Sequence, residues 1–133
     1  MIRLNTDRLE FVAATVELVQ LELNQTGQLA QLITAEVPAR WPPELFTHDL
    51  LEFVVKKLEK DPALADWLRW YWIKQDKATG ERILIGVSSF TTPTSAGIVE
   101  IAYSVMEEFR GFGYATEAIR PLISWVFSHI EIP

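Results

Sequence analysis

The chain has 133 residues, 49% of them apolar, which is enough for one domain with a packed core and too apolar for a disordered chain. Its formal net charge of −6 excludes a nucleic-acid binder that works by bulk positive charge and suits a cationic partner such as a protonated amine. No apolar run approaches the ~20 residues of a membrane span, Arg3, Asp7, Arg8 and Glu10 break up any leader-like start, and the lack of cysteine removes disulfide and thiolate chemistry. These bounds lead to the expectation of a cytoplasmic protein with neither a membrane nor a nucleic-acid partner.

Residues 8–13, RLEFVA, predict a first strand with Leu9 and Phe11 on one face. Thr15 is placed to cap a helix over Val16 to Leu23, although the apolar spacing there also fits a strand. Residues 25–34 carry Leu29, Leu32 and Ile33 and predict a second short helix after Gly27. Pro38, Pro42 and Pro43 forbid regular structure in Val37 to Leu45. Thr47 caps a helix running to about Lys60, with Leu50, Leu51, Val54 and Leu58 on its apolar face. Lys56, Lys57 and Lys60 fall in its last turns, where cations complement the helix dipole.

Leu68 to Gln75 reads as a strand built on Trp70, Tyr71 and Trp72. Arg82 to Phe90 is its hairpin partner, and Gly86 marks a bulge or a close approach of backbones. Thr91 to Gly97 turns the chain into a third antiparallel strand, Ile98 to Val105. The segment Met106 to Gly113 is charged, carries Gly111 and Gly113, and ends that strand. Ala115, Ala118, Ile119, Leu122, Ile123, Val126 and Phe127 then recur at helical spacing.

The junction between that strand and that helix carries the chemistry. A helix start leaves backbone N–H groups without partners and holds partial positive charge. Glycines just before it let a ligand approach the backbone, so the pair makes a seat for phosphate oxygens. Arg110 adds a guanidinium at the entrance, and Ala115 is small where bulk would block access. The bare Gly-x-Gly pattern also fits a plain tight turn. A dinucleotide fingerprint would need a third glycine where Thr116 stands.

Arg110-Gly111-Phe112-Gly113-Tyr114-Ala115 resembles the pyrophosphate loop of the GNAT superfamily of acyl-CoA-dependent N-acetyltransferases: Gln or Arg, two residues, Gly, one residue, then Gly or Ala. Thr116-Glu117-Ala118, with Glu100-Ile101-Ala102-Tyr103 before the loop, resembles the branch that acetylates ribosomal-protein N-termini and small amines. The resemblance implies an α+β fold over residues 1–133, a mixed and mostly antiparallel sheet flanked by helices. It implies acetyl-CoA as cofactor and CoA as product; no metal is expected, because His48 and His129 are far apart in sequence with no Cys and no ligand-spaced partner. The implied reaction is direct attack of a primary amine, on a protein N-terminus or a small molecule, on the thioester. Ser104, Val105 and Met106 are then expected to hold the pantetheine arm and thioester. Arg110, Gly111, Phe112, Gly113, Tyr114, Ala115 and Thr116 are expected to hold the pyrophosphate. The family places acceptor contacts near Arg40 and Trp41, although a cover over the core edge is the preferred reading of Trp41, since apolar packing explains most tryptophans. Glu100 is the candidate base, acting through water from a half-buried position; alternation alone leaves a solvent-facing reading equally open.

The family normally continues with a fifth strand, another helix and two closing strands, whereas this sequence stops soon after Ile130 to Ile132, a stretch that suits the start of that fifth strand. The resemblance therefore implies a fold lacking the C-terminal strands. An unpaired edge on the strand at 98–105 would then favour a homodimer through residues 98–133. The alternative function is a non-catalytic truncated GNAT module that binds CoA or mediates assembly.

Overall fold

A computed structural model describes residues 2–91 and 95–129. The chain runs β1 (Arg3–Asn5), β2 (Leu9–Ala13), α1 (Val16–Asn24), α2 (Thr26–Ile33), α3 (His48–Lys60), α4 (Ala65–Leu68), β3 (Trp70–Gln75), β4 (Arg82–Phe90), β5 (Ile101–Val105) and α5 (Tyr114–His129), with single 3-10 turns at Pro62–Leu64 and Glu107–Phe109. The strands form one sheet in the order β1-β2-β3-β4-β5, each pair antiparallel.

Helices cover both faces of this α+β sheet, and the side-chain alternation of the central strands shows it. Val12, Tyr71, Ile73 and Leu84 face one way and pack with Leu18, Val19, Leu29, Ile33, Leu51, Val54 and Leu58 of α1, α2 and α3. Phe11, Ala13, Trp70, Trp72 and Ile85 face the other way, against Tyr114, Ala118, Leu122, Trp125 and Val126 of α5. A strand covered on both sides has no polar face, which is why all of β2 is buried, including Glu10. The second core is aromatic: Trp125 packs edge-on to Trp67 and Trp70 and stacks on Phe90.

Several sequence expectations need correction. β1 was not expected; three residues with exposed Arg3 and Asn5 are too short to leave a period-2 signal. β3 starts at Trp70 instead of Leu68, because Asp61 caps Ala63 and the chain makes a helical turn through Leu68 first. β5 starts at Ile101 instead of Ile98, and Glu100 just before it is tied to Thr91 through backbone and hydroxyl bonds. The buried stripe of α5 is rotated from the one expected. Tyr114 and Trp125 enter the core, while Ile123 and Phe127 are exposed. Thr92 to Thr94 of the expected turn, and the suggested strand start at Ile130 to Ile132, lie outside the described residues.

Gly86 does mark a close approach. A Cβ there would stand 3.0 Å from the Ser104 carbonyl and 3.3 Å from Trp72. The β3–β4 register slips at the same place, between Trp72 and Ile73. This draws the end of β5 in against β4, and the end of β5 is one wall of the site.

Candidate active site

The site is a cavity of about 510 Å³ between the C-terminal end of β5 and the first turn of α5. Ser104, Val105, Arg110, Gly111, Gly113, Tyr114, Ala115 and Thr116 line it, so the structure brings together eight of the expected cofactor residues. Tyr103 and Phe109 complete that wall, and Glu44 and Leu45 close the cavity from the loop before α3.

The glycine loop has a conformational reason for its sequence. Gly111 and Gly113 have φ of +85° and +81°, a left-handed backbone that costs any residue with a Cβ. Around Gly111 the space is open, since an added Cβ would meet nothing within 4 Å. These two turns swing the chain from the Glu107–Phe109 turn into α5, whose first internal bond runs from Glu117 N–H to the Gly113 carbonyl at 3.0 Å. The N–H groups ahead of Glu117 have no acceptor inside the helix and sit at the positive end of a 16-residue dipole. An anion of phosphate type matches that end of the cavity.

The backbone at the end of β5 is sorted by the ladder. Met106 N–H donates to the Ile85 carbonyl at 2.7 Å, so it is spent on β4. Antiparallel alternation then turns the backbone groups of Val105 and Tyr103 toward the open edge, and those of Ser104 and Met106 inward. Val105 is therefore the one residue of the expected trio whose N–H faces outward. Met106 instead lines a smaller neighbouring cavity of about 120 Å³ with Arg40, Glu107, Glu108 and Arg110. Arg110 is pinned between elements. Its Nε donates to the Val105 carbonyl at 2.9 Å, and its Nη2 lies 3.7 Å from Glu44.

Other expected residues lie elsewhere. Phe112 points away, 60% exposed, and contributes its carbonyl to Arg8. Glu100 is exposed and lines neither cavity, so it takes the solvent-facing alternative and not the half-buried one. Trp41 is half-buried, and its indole N–H donates to Glu22 Oε2 at 2.8 Å. Among the described residues no three His, Cys, Asp or Glu side chains gather as metal ligands.

Two groups of functional consequence escape a sequence reading. The first is a clamp on the loop. Arg8 donates to the Phe112 carbonyl at 2.9 Å and to Glu117 at 2.7 Å, and lies over the Tyr114 ring at 4.5 Å. The Arg8 backbone N–H and the Thr6 hydroxyl also donate to Glu117. Burial raises the Glu117 pKa, but the bonds from Thr6 and Arg8 outweigh it, and the carboxyl ends below its ordinary value. The second is a buried network. Glu22 accepts from Arg69 at 2.9 and 2.6 Å, from the Tyr71 hydroxyl at 2.7 Å and from Trp41. Burial, and then the Glu22 charge, push the Tyr71 hydroxyl well above its ordinary pKa. Both groups join residues far apart in sequence, so no local pattern announces their contacts; Glu117 stood out only as part of Thr116-Glu117-Ala118 and as an acidic residue in the first turn of a helix.

No helix among the described residues is long and apolar enough to cross a membrane. A comparison with curated proteins finds no match. Solved structures are similar in fold. The ribosomal-protein-S5-alanine acetyltransferase from Vibrio fischeri superposes with a TM-score of 0.54 at 17% identity, covering 96% of this chain and 68% of its own. A GNAT-family acetyltransferase from Bacillus anthracis gives 0.53 at 17% identity, with 96% and 67% covered. At such identities these likenesses speak for the fold alone. The sequence itself matches the family model of the acetyltransferase (GNAT) domain over residues 15–133, and with the glycine loop, the helix start and the sheet in their places, the chain belongs to the GNAT acetyltransferase family.

Proposed function

We propose that this chain is an N-acetyltransferase that moves an acetyl group from acetyl-CoA to a primary amine, on a protein N-terminus or a small molecule. The observation that carries the reading is the cavity of about 510 Å³ whose one end is the glycine loop and free helix start and whose other is the edge of β5. Acetyl-CoA, when bound, supplies an activated acetyl thioester. The N–H groups of Gly113 to Thr116 hold its pyrophosphate, with Arg110 neutralising charge as it leaves Glu44. The outward N–H of Val105 is the donor placed for the acyl-bearing arm. Residues around Arg40 and Glu44 set where the amine enters. An amine that arrives protonated first loses one proton to water; the neutral nitrogen then bonds to the acyl carbon, the carbon–sulfur bond breaks, and a second proton passes from the nitrogen to the thiolate. With Glu100 outside the cavity, solvent at the mouth carries that proton.

Calorimetric titration with CoA tests the seat. Gly113→Glu adds bulk and negative charge at the loop and is expected to abolish binding; unchanged affinity would refute the assignment. Thiol release from acetyl-CoA over a panel of amines tests turnover. A binding-only module is the second reading, favoured by the position of Glu100, and it predicts CoA binding with no amine-dependent release. The proposal includes a homodimer. Among the described residues β5 has a partner on one side only, and beside it lies an apolar groove of about 410 Å³ lined by Phe90, Ile123, Val126 and Phe127. Light scattering reads this directly, and a monomer at all accessible concentrations would remove it.

A further inference from the structure

We propose that the buried Glu22–Arg69 pair is a latch that holds residues 42–45 as a lip over the cavity, with Leu45 as the residue that touches the pantetheine arm of bound CoA. The inference rests on the CoA reading of the cavity and extends it to a loop with no regular structure. Glu22 and Arg69 have fully buried side chains. Removing two charges from water is costly, and replacing such a pair by apolar residues is often neutral or stabilising, so stability alone does not account for it. Its geometry suggests a positioning use. The pair grips the proline-rich loop at two points: Trp41 donates to Glu22 at 2.8 Å, and Phe46, 2% exposed, lies under the Arg69 guanidinium at 5.5 Å.

Between those grips the chain does something costly. Leu45 has φ of +75°, a left-handed backbone at a residue with a branched side chain, and is 73% exposed. An apolar side chain held in a strained backbone and aimed at solvent gains nothing for the fold. It lines the cavity of about 510 Å³ together with Tyr103 and Val105, with Glu44 beside it reaching Arg110. A ligand lying along the edge of β5 would cover Leu45 and recover the apolar burial that the free protein forgoes. Trp41 and Phe46 are positioning residues in this scheme, acting through Leu45.

Two variants test it on the full chain, with CoA as the probe. Leu45→Gly removes the contact and the backbone strain together. It is expected to leave Tm unchanged or higher while weakening CoA binding about tenfold, a split that a purely structural residue would not give; undiminished affinity overturns the proposal. Trp41→Phe keeps an aromatic, though smaller, side chain and deletes the indole donor. In the free protein it is expected to speed hydrogen exchange at Phe46, whose N–H donates to the Pro43 carbonyl at 3.3 Å, with the rest of the chain unchanged; no change there overturns the latch. In wild type, CoA is expected to slow exchange both at 111–116 and at 44–46. Slowing at 111–116 alone would overturn the lip and leave the CoA site standing. Slowing at neither would remove both.

Discussion

Two glutamate–arginine pairs hold the two walls of the cavity, and they differ in almost everything except their chemistry. Glu22–Arg69 is fully buried and anchors the proline-rich lip on the α1–α3 side of the sheet. Glu117–Arg8, with side chains 19% and 41% exposed, anchors the glycine loop on the α5 side. The buried pair is costly to break, because either partner left alone is an uncompensated charge in low dielectric. The rim pair is screened by salt and open to titration. One wall is thus fixed by desolvation, and the other is held by bonds that solution conditions can loosen.

The comparison breaks first at the buried pair. Glu22→Ala strands Arg69 and leaves the Tyr71 and Trp41 donors unmatched, and is expected to cost about 3–5 kcal/mol. Urea denaturation reads this, and a loss near that of an ordinary surface substitution would show that water reaches Arg69. Glu117→Gln is expected to cost about 1–2 kcal/mol, as three donors trade a charged acceptor for a neutral one. The gap between that variant and wild type should narrow in high salt, whereas the cost of Glu22→Ala should not.

Acidity sharpens the contrast further. The Glu117 pKa is lowered in the folded protein, so its contribution is fully present above the unfolded carboxylate value, about 4.3. It is lost as pH falls through the lower folded value. Thermal melts of wild type and Glu117→Gln should therefore differ at neutral pH and converge on the acid side. A difference that persists to low pH would assign the effect to packing. The smallest effect is expected at Glu100→Gln. Outside both cavities, it should change stability by less than about 0.5 kcal/mol and leave the rate far short of the ~10²-fold loss that a positioned base accounts for. A loss of that size, with CoA binding intact, would bring Glu100 back to the reacting amine.

Much of this was legible in the sequence because it is local. The strand–glycine–helix order around Arg110 to Thr116, the Thr15 and Thr47 caps and the bounds of β4 all rest on residues within a few positions of one another. The stripe on α5 was misjudged because Ile123 and Phe127 fit the helical period as well as Trp125 does; which side faces the sheet depends on the partner surface. Glu100 was undecidable for the same reason, since a period of two gives two faces and no sign. Arg8, Glu22, Arg69 and Leu45 were invisible. Their roles come from elements distant in sequence, and Leu45 shows itself only in its backbone angle, its exposure and its place at the cavity.

The order of pairing in the sheet has a consequence for how the molecule is made. β1 with β2, β3 with β4 and β4 with β5 each join neighbours in sequence, but β2 with β3 must close across α1, α2, α3 and α4. Non-local closure loses more chain freedom before it gains contact, so it tends to come late. Thr6 and Arg8, which grip the glycine loop, sit immediately before β2 and can reach Glu117 only after that closure. A refolding chain can therefore have its meander and its last helix assembled and still lack a ligand seat. Pulse-labelled exchange during refolding should protect β3 to β5 before β2, with CoA competence appearing in the second phase; protection of all four strands at once would contradict that sequence of events.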